Sequence, residues 1–204
     1  MVTLSQLSRK LSLLEQANTG APHVFVDCDE VLADFLGTVV SKFNLKDEHA
    51  VKKFLAPPNG WDAVTKALPN IFELLKPMPD AHVLVAGLTK LRDQGDIKLS
   101  VLTALPKPWM TPGQKHLGDA ARNHKKQWIT KYFPSIGASS VITCQRSDKA
   151  FFGLAELVAT GIPPILIDDN KSNIKDWKAS TRSFAILHTS AADSLKQLHA
   201  YLNR

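Results

Sequence analysis

Two short apolar runs dictate most of what this chain can become. His23-Val24-Phe25-Val26 ends in Asp27, with Asp29 two residues further on, and Pro164-Ile165-Leu166-Ile167 ends in Asp168 with Asp169 beside it. Short apolar runs bounded by turn formers read as strands buried on both faces. Three more, Lys98 to Thr103, Ser140 to Thr143 and Ser183 to Leu187, complete a set of five. Helix-length stretches at about 81–94, 115–133, 149–160, 171–179 and 190–203 alternate with them. That alternation predicts an α/β fold, a Rossmann-like parallel sheet flanked by helices. Parallel strands point one way, so Asp27, Thr103 and Asp168 at their carboxyl ends share the rim where such sheets bind ligands.

Residues 36–80 break the alternation. They hold helix-like pieces carrying Phe43, Phe54, Trp61 and Phe72, punctuated by Pro57-Pro58-Asn59-Gly60, Pro69, Pro77 and Pro79. This predicts a small helical cap over the rim, inserted between two parts of the core, 22–35 and 81–204. Residues 1–21 form an N-terminal extension, in which Leu4, Leu7, Leu11 and Leu14 recur at helical spacing. An amphipathic helix there either packs on the domain or makes a homodimer contact, and its pattern leaves both open.

Composition removes several classes. The 204 residues suit one domain with a small insertion, and 44% hydrophobic with 22% charged is not the balance of a disordered chain. No apolar run reaches the length of a membrane span, and the N-terminus lacks the apolar block of a signal peptide. The two cysteines, Cys28 and Cys144, have no metal-type spacing, which argues against a disulfide scaffold or zinc finger and for a reducing cytoplasm. Residues 1–89 carry 8 basic and 10 acidic groups, whereas residues 90–204 carry 17 and 9. The basic half points to an anionic partner: a small phosphorylated substrate, or nucleic acid, although no nucleic-acid motif accompanies it.

Four carboxylates at one rim repel one another unless a cation sits among them. An all-oxygen donor set suits Mg²⁺, which takes substrate phosphate as a further ligand. Either pair alone also fits a structural role: Asp27 as a strand-end cap, Asp168-Asp169 as a turn with Asn170.

The run His23-Val24-Phe25-Val26-Asp27-Cys28-Asp29-Glu30-Val31-Leu32-Ala33-Asp34-Phe35 resembles the first motif of the haloacid-dehalogenase-like phosphohydrolases. Its Val-Leu-Ala-Asp-Phe extension is similar to that of the 5′(3′)-deoxyribonucleotidases. Leu99 to Ala104 resembles the second motif, Arg146-Ser147-Asp148-Lys149 the segment supplying the third, and Ile165 to Asn170 the fourth. Lys126-Gln127-Trp128 and Lys131-Tyr132-Phe133 look like a further pattern of that subfamily. The resemblance spans about residues 22–180.

It implies a Mg²⁺-dependent phosphomonoesterase acting on deoxyribonucleoside monophosphates. Asp27 would be the nucleophile that forms an aspartyl-phosphate, and Asp29 the general acid and base. The metal would be held by Asp27, by Asp29 through its backbone carbonyl, and by Asp168 and Asp169. Thr103, Ala104 and Lys149 would bind the phosphoryl group, with Lys125 and Lys126 as rival lysines. Trp61, Phe72, Phe43, Trp109, Lys126 and Arg146 are candidates for the substrate pocket. A sugar phosphate or a nucleic-acid 3′-phosphate end is the alternative substrate, and a catalytically idle nucleotide-binding module the alternative class. Glu30 departs from the pattern, which has glycine there.

Overall fold

The computed structural model describes residues 20–107 and 112–203. The amphipathic stretch of residues 3–17 and Trp109 lie outside them. β1 (His23–Val26) leads to a two-residue strand, β2 (Ala33–Asp34). Four helices follow: α1 (Phe35–Phe43), α2 (Glu48–Leu55), α3 (Pro58–Ala67) and α4 (Ile71–Leu74). β3 (Lys76–Pro77) closes that stretch by pairing antiparallel with β2. Then come α5 (Ala81–Asp93), β4 (Lys98–Ala104), α6 (Lys115–Tyr132), β5 (Val141–Cys144), α7 (Lys149–Thr160), β6 (Ile165–Asp168), α8 (Lys171–Thr181), β7 (Ala185–Leu187) and α9 (Ala191–Leu202).

The main sheet has the order β5-β4-β1-β6-β7, and every pairing in it is parallel. The five strands and five following helices expected from the sequence are all present, with ends within about two residues. The β2–β3 ribbon was not expected: at two residues each, its strands are too short to leave a periodic signal.

β1 is central because it can be buried on both faces. Val24 and Val26 point into one core with Leu84 and Leu88 of α5, Ile129 of α6 and Leu198 of α9. Phe25 points the other way, to Ile174 and Trp177 of α8. Its ring meets the Trp177 indole edge-on at 5.6 Å. Helices therefore cover both faces of the sheet.

Local chemistry sets the helix ends. Asp34 caps α1 by accepting from Gly37 N, Asp47 caps α2 by accepting from Ala50 N, and Asn170 caps α8 by accepting from Ser172 N. Gly161, at φ 71°, ends α7 in the left-handed conformation that glycine adopts most cheaply. The helices of residues 35–74 bury Phe35, Val39, Val51, Val64, Ile71 and Phe72 in the same cluster as Val24 and Val26. Their packing is thus continuous with one face of the sheet.

Candidate active site

β1 pairs with β4 on one side and β6 on the other, and the β6 pairing continues one residue past its end: Asp27 N donates to Ile167 O of β6 at 2.9 Å. This fixes Asp27 beside Asp168 at the point where the chain order reverses across the sheet, the usual ligand crevice of such folds. The Asp27 carboxylate is held at both oxygens. Oδ1 accepts from Cys28 N at 2.7 Å, and Oδ2 pairs with Lys149 Nζ at 2.7 Å.

Lys149 opens α7 and is only 2% exposed. Its ammonium also reaches Asp168 Oδ2 at 2.7 Å. Asp168 is fully buried and further accepts from Asn170 N at 2.9 Å and from Asn173 Nδ2 at 2.9 and 3.0 Å. Asn173 is in turn an acceptor for Arg146 Nε at 3.1 Å, and Arg146 also donates to Asn170. The charge of Lys149 is retained despite burial, because Asp27 and Asp168 raise its pKa more than desolvation lowers it.

Ligand oxygens of Asp27, Asp168 and Asp169 lie within 4.8 Å of one another. Three carboxylates against one ammonium leave two formal negative charges in excess. Burial first, then the charge of Asp27, push Asp168 up to about 6 and Asp169 up to about 7. Carboxyls held this close to neutrality lack sufficient positive charge. The oxygen-only donors and their spacing fit Mg²⁺, whose charge would supply it.

Asp29 is not part of that cluster. Its carboxylate is taken by a second lysine: Lys125 Nζ donates to Oδ1 at 2.8 Å and Oδ2 at 2.7 Å. The same ammonium donates to Thr103 Oγ1 at 2.8 Å and sits 4.4 Å from the centre of the Phe72 ring. Burial raises the Asp29 pKa, with Lys125 pulling against it. Of the three lysines weighed for the phosphate, Lys149 pairs with Asp27 and Asp168, and Lys125 with Asp29. Lys125 lies on the stripe of α6 that also buries Gly118, Ala121, Trp128 and Ile129. A lysine within an apolar helical stripe is a signal the sequence does carry.

A cavity of about 550 Å³ opens beside Asp29. Phe35, Trp61 and Phe72 wall one part of it, and Ala104 to Lys107, Gln145 to Ser147, Asn173 and Asp176 wall the rest. The Phe35 ring lies 5.7 Å from Trp61 and 6.1 Å from Phe72, both stacked. Of the pocket candidates, Trp61, Phe72 and Arg146 line this cavity. Phe43 instead packs on Phe54 at 4.9 Å, and Lys126 is a half-buried residue of α6 outside the lining. Phe35, Asn173 and Asp176 are lining residues that their sequence spacing did not single out. Glu30 stands at φ 61°, half-buried, with its carboxyl pushed up to about 7 by burial and then by Asp34, Asp29 and Asp169.

The sheet order and this rim resemble those of the haloacid-dehalogenase-like hydrolases, and the sequence resembles that of proteins named 5′(3′)-deoxyribonucleotidases. It is 23% identical over 191 residues to a Staphylococcus aureus (strain Mu50 / ATCC 700699) protein named "Putative 5'(3')-deoxyribonucleotidase", covering 87% of this chain and 90% of that one. Its fold matches that of a hydrolase from Streptococcus pneumoniae TIGR4, with a TM-score of 0.50 at 13% identity over 89% of this chain and 100% of the other. A haloacid-dehalogenase-like family hydrolase from Xanthomonas campestris matches with a TM-score of 0.50 at 11% identity, over 89% and 96%. No protein-family model matches the chain.

Proposed function

We propose that this protein is a Mg²⁺-dependent phosphomonoesterase that hydrolyses deoxyribonucleoside monophosphates through an aspartyl-phosphate on Asp27. One observation carries the reading. A lysine-held carboxylate, Asp29 with Lys125, lines a cavity walled by stacked aromatic rings, and the buried pair Asp27–Lys149 stands two residues back along the chain. The cavity volume suits a mononucleotide better than a polymer. The rings of Phe35, Trp61 and Phe72 suit a base, for which stacking is worth about 1–3 kcal/mol. We read residues 36–80 as the cap that supplies Trp61 and Phe72 to this wall, beside Phe35 at the end of the first core segment, while Ala104 belongs to the phosphate end.

The mechanism follows from the hydrogen bonds. Asp27 is oriented by Cys28 N and Lys149, so a carboxylate oxygen faces an incoming phosphorus. Attack forms the Asp27–phosphorus bond and breaks the bond to the nucleoside oxygen, which takes a proton from Asp29. Burial raises the pKa of Asp29, the direction that favours a proton on it. Water then attacks the phosphoryl group, gives its proton to Asp29, and releases phosphate and free Asp27. Lys149, the Thr103 hydroxyl and the Ala104 backbone N–H stabilise the charge on the phosphoryl oxygens. Mg²⁺, held by Asp27, Asp168 and Asp169 with the Asp29 carbonyl, would neutralise the approach of one anion to another. Buried Cys28 and Cys144, both free thiols, accord with a reducing cytoplasm. Among the described residues no helix is long and apolar enough to cross a membrane.

The test is phosphate release, with Mg²⁺ and with EDTA, from dUMP, dTMP, dGMP, their ribo forms, a sugar phosphate and a 3′-phosphorylated oligonucleotide. The proposal expects Mg²⁺-dependent release from the deoxymononucleotides, lost in Asp27→Asn. Full release by that variant would overturn the mechanism, and release from the oligonucleotide alone would overturn the substrate.

A further inference from the structure

We propose that Glu30 is a positioning residue: its side chain fastens the turn that carries Asp29 to the first turn of α1, holding the acid–base group in register with the aromatic wall that begins at Phe35. The inference rests on the phosphatase reading for its kinetic consequence, but the link itself is geometric.

The turn between β1 and β2 is wound tightly by its backbone. Cys28 O accepts from Leu32 N at 2.8 Å and Ala33 N at 2.9 Å, and Glu30 N donates to Ala33 O at 2.8 Å. Closing so short a turn puts Glu30 at φ 61°, in the left-handed region that a residue with a Cβ enters only at a cost. The pattern this segment resembles has glycine here, which would avoid that cost. A side chain kept at a strained position adjoining a reactive group calls for a function.

The function is visible in its bond. Glu30 Oε1 accepts from Leu36 N at 2.7 Å. Leu36 N is among the first N–H groups of α1, which have no partner within the helix. Its neighbour, Gly37 N, is taken by Asp34 at 2.7 Å. Two acidic side chains, Glu30 from the turn and Asp34 from β2, thus satisfy consecutive N–H groups at the positive end of α1. Phe35, the residue just before Leu36, lines the cavity, and so does Asp29, the residue just before Glu30. The Glu30–Leu36 bond therefore ties together two segments that both line the cavity. A carboxyl oxygen accepts this bond with or without its proton, so the role is one of position and not of charge.

Three proteins decide the matter: parent, Glu30→Gln and Glu30→Gly. Each is measured for kcat and KM on a deoxymononucleotide, for melting temperature, and for amide exchange at Leu36. The glutamine variant keeps an acceptor oxygen and retains kcat within about threefold of the parent. The glycine variant relieves the backbone, so its melting temperature is unchanged or higher, while its kcat falls by about tenfold with a smaller change in KM, as expected when a reacting group is misplaced by a fraction of an ångström. Leu36 exchanges faster in the glycine variant than in the other two. A kcat that merely follows melting temperature, or a glycine variant with parental kcat, overturns the proposal. If the parent releases no phosphate, the phosphatase reading fails, and unaltered Leu36 exchange in the glycine variant still overturns the link.

Discussion

Replacing Lys125 with methionine keeps the length of the side chain and removes its charge. Lys125 is 1% exposed and makes three hydrogen bonds, two to Asp29 and one to Thr103. Unit charges about 4 Å apart interact by about 4 kcal/mol at an effective dielectric of about 20, and by less where water reaches the pair, as at Asp29, whose side chain is 29% exposed. That attraction holds the Asp29 pKa down against burial. Asp29 should thus hold its proton to a higher pH in Lys125→Met. That leaves the protonation of the leaving oxygen intact and impairs the second half of the cycle, where Asp29 must accept a proton. The assay is kcat against pH from about 5 to 9, with a rapid-mixing measurement of nucleoside release. The acid limb of the profile should move to higher pH, and nucleoside should appear in a burst before a slow steady state. Breaking a buried pair costs about 3–5 kcal/mol, so melting must show the variant folded at assay temperature. A lower kcat with an unmoved acid limb would refute the assignment of Lys125 to Asp29.

Other expectations are independent of that one. Trp61→Ala should raise KM for a deoxymononucleotide by roughly fivefold to a hundredfold, with a smaller effect on kcat, because stacking of about 1–3 kcal/mol is lost. Asp168 and Asp169, at about 6 and 7, and Glu30, at about 7, have folded pKa values above their ordinary ones. Their contribution to stability is therefore fully present in acid and lost as pH rises through 6 to 7. Mg²⁺ should accordingly raise the melting temperature more at pH 8 than at pH 5.5, by thermal shift, and an equal shift at both would count against the metal site. Burial holds the Cys144 thiol up at about 12 and the Cys28 thiol higher still, so neither should react with a thiol reagent at pH 8 until the protein unfolds. A Cβ added at Gly153 would meet the Trp177 ring at 2.5 Å. Gly153→Ala should therefore lower stability by about 1–3 kcal/mol despite its gain in helix propensity, as read by denaturant titration.

The parallel sheet was legible because buried strands leave unbroken apolar runs and the carboxylates stand at their ends, as with Asp27 and Asp168. Lys149 was legible through the motif it resembles, although a full helix separates it from β6. What the sequence did not reveal depends on packing between elements distant in the chain. Lys125 meets Asp29 across 96 positions, and no local pattern fixes such a meeting. Asn173 acts through the geometry of one helical turn beyond the Asn170 cap, and Phe35 through the ribbon that sets the direction of α1. Phe43 is an aromatic of the same stretch as Trp61, which follows the turn formers Pro57-Pro58-Asn59-Gly60, and only the helix faces distinguish the place of Phe43 on Phe54 from a place in the cavity.

The β2–β3 ribbon is small, but it makes the protein divisible. Ala33 faces Pro77 and Asp34 faces Lys76, so the chain leaves the sheet and comes back at one clamped doorway. Whatever is threaded between those residues enters and exits at the same place. The entropy of closing a flexible loop grows only with the logarithm of its length, about 0.6 kcal/mol for each doubling. Connections between the helices of residues 35–75 can therefore lengthen at little cost without re-registering a strand, provided that the faces sharing a core with Val24 and Val26 are kept.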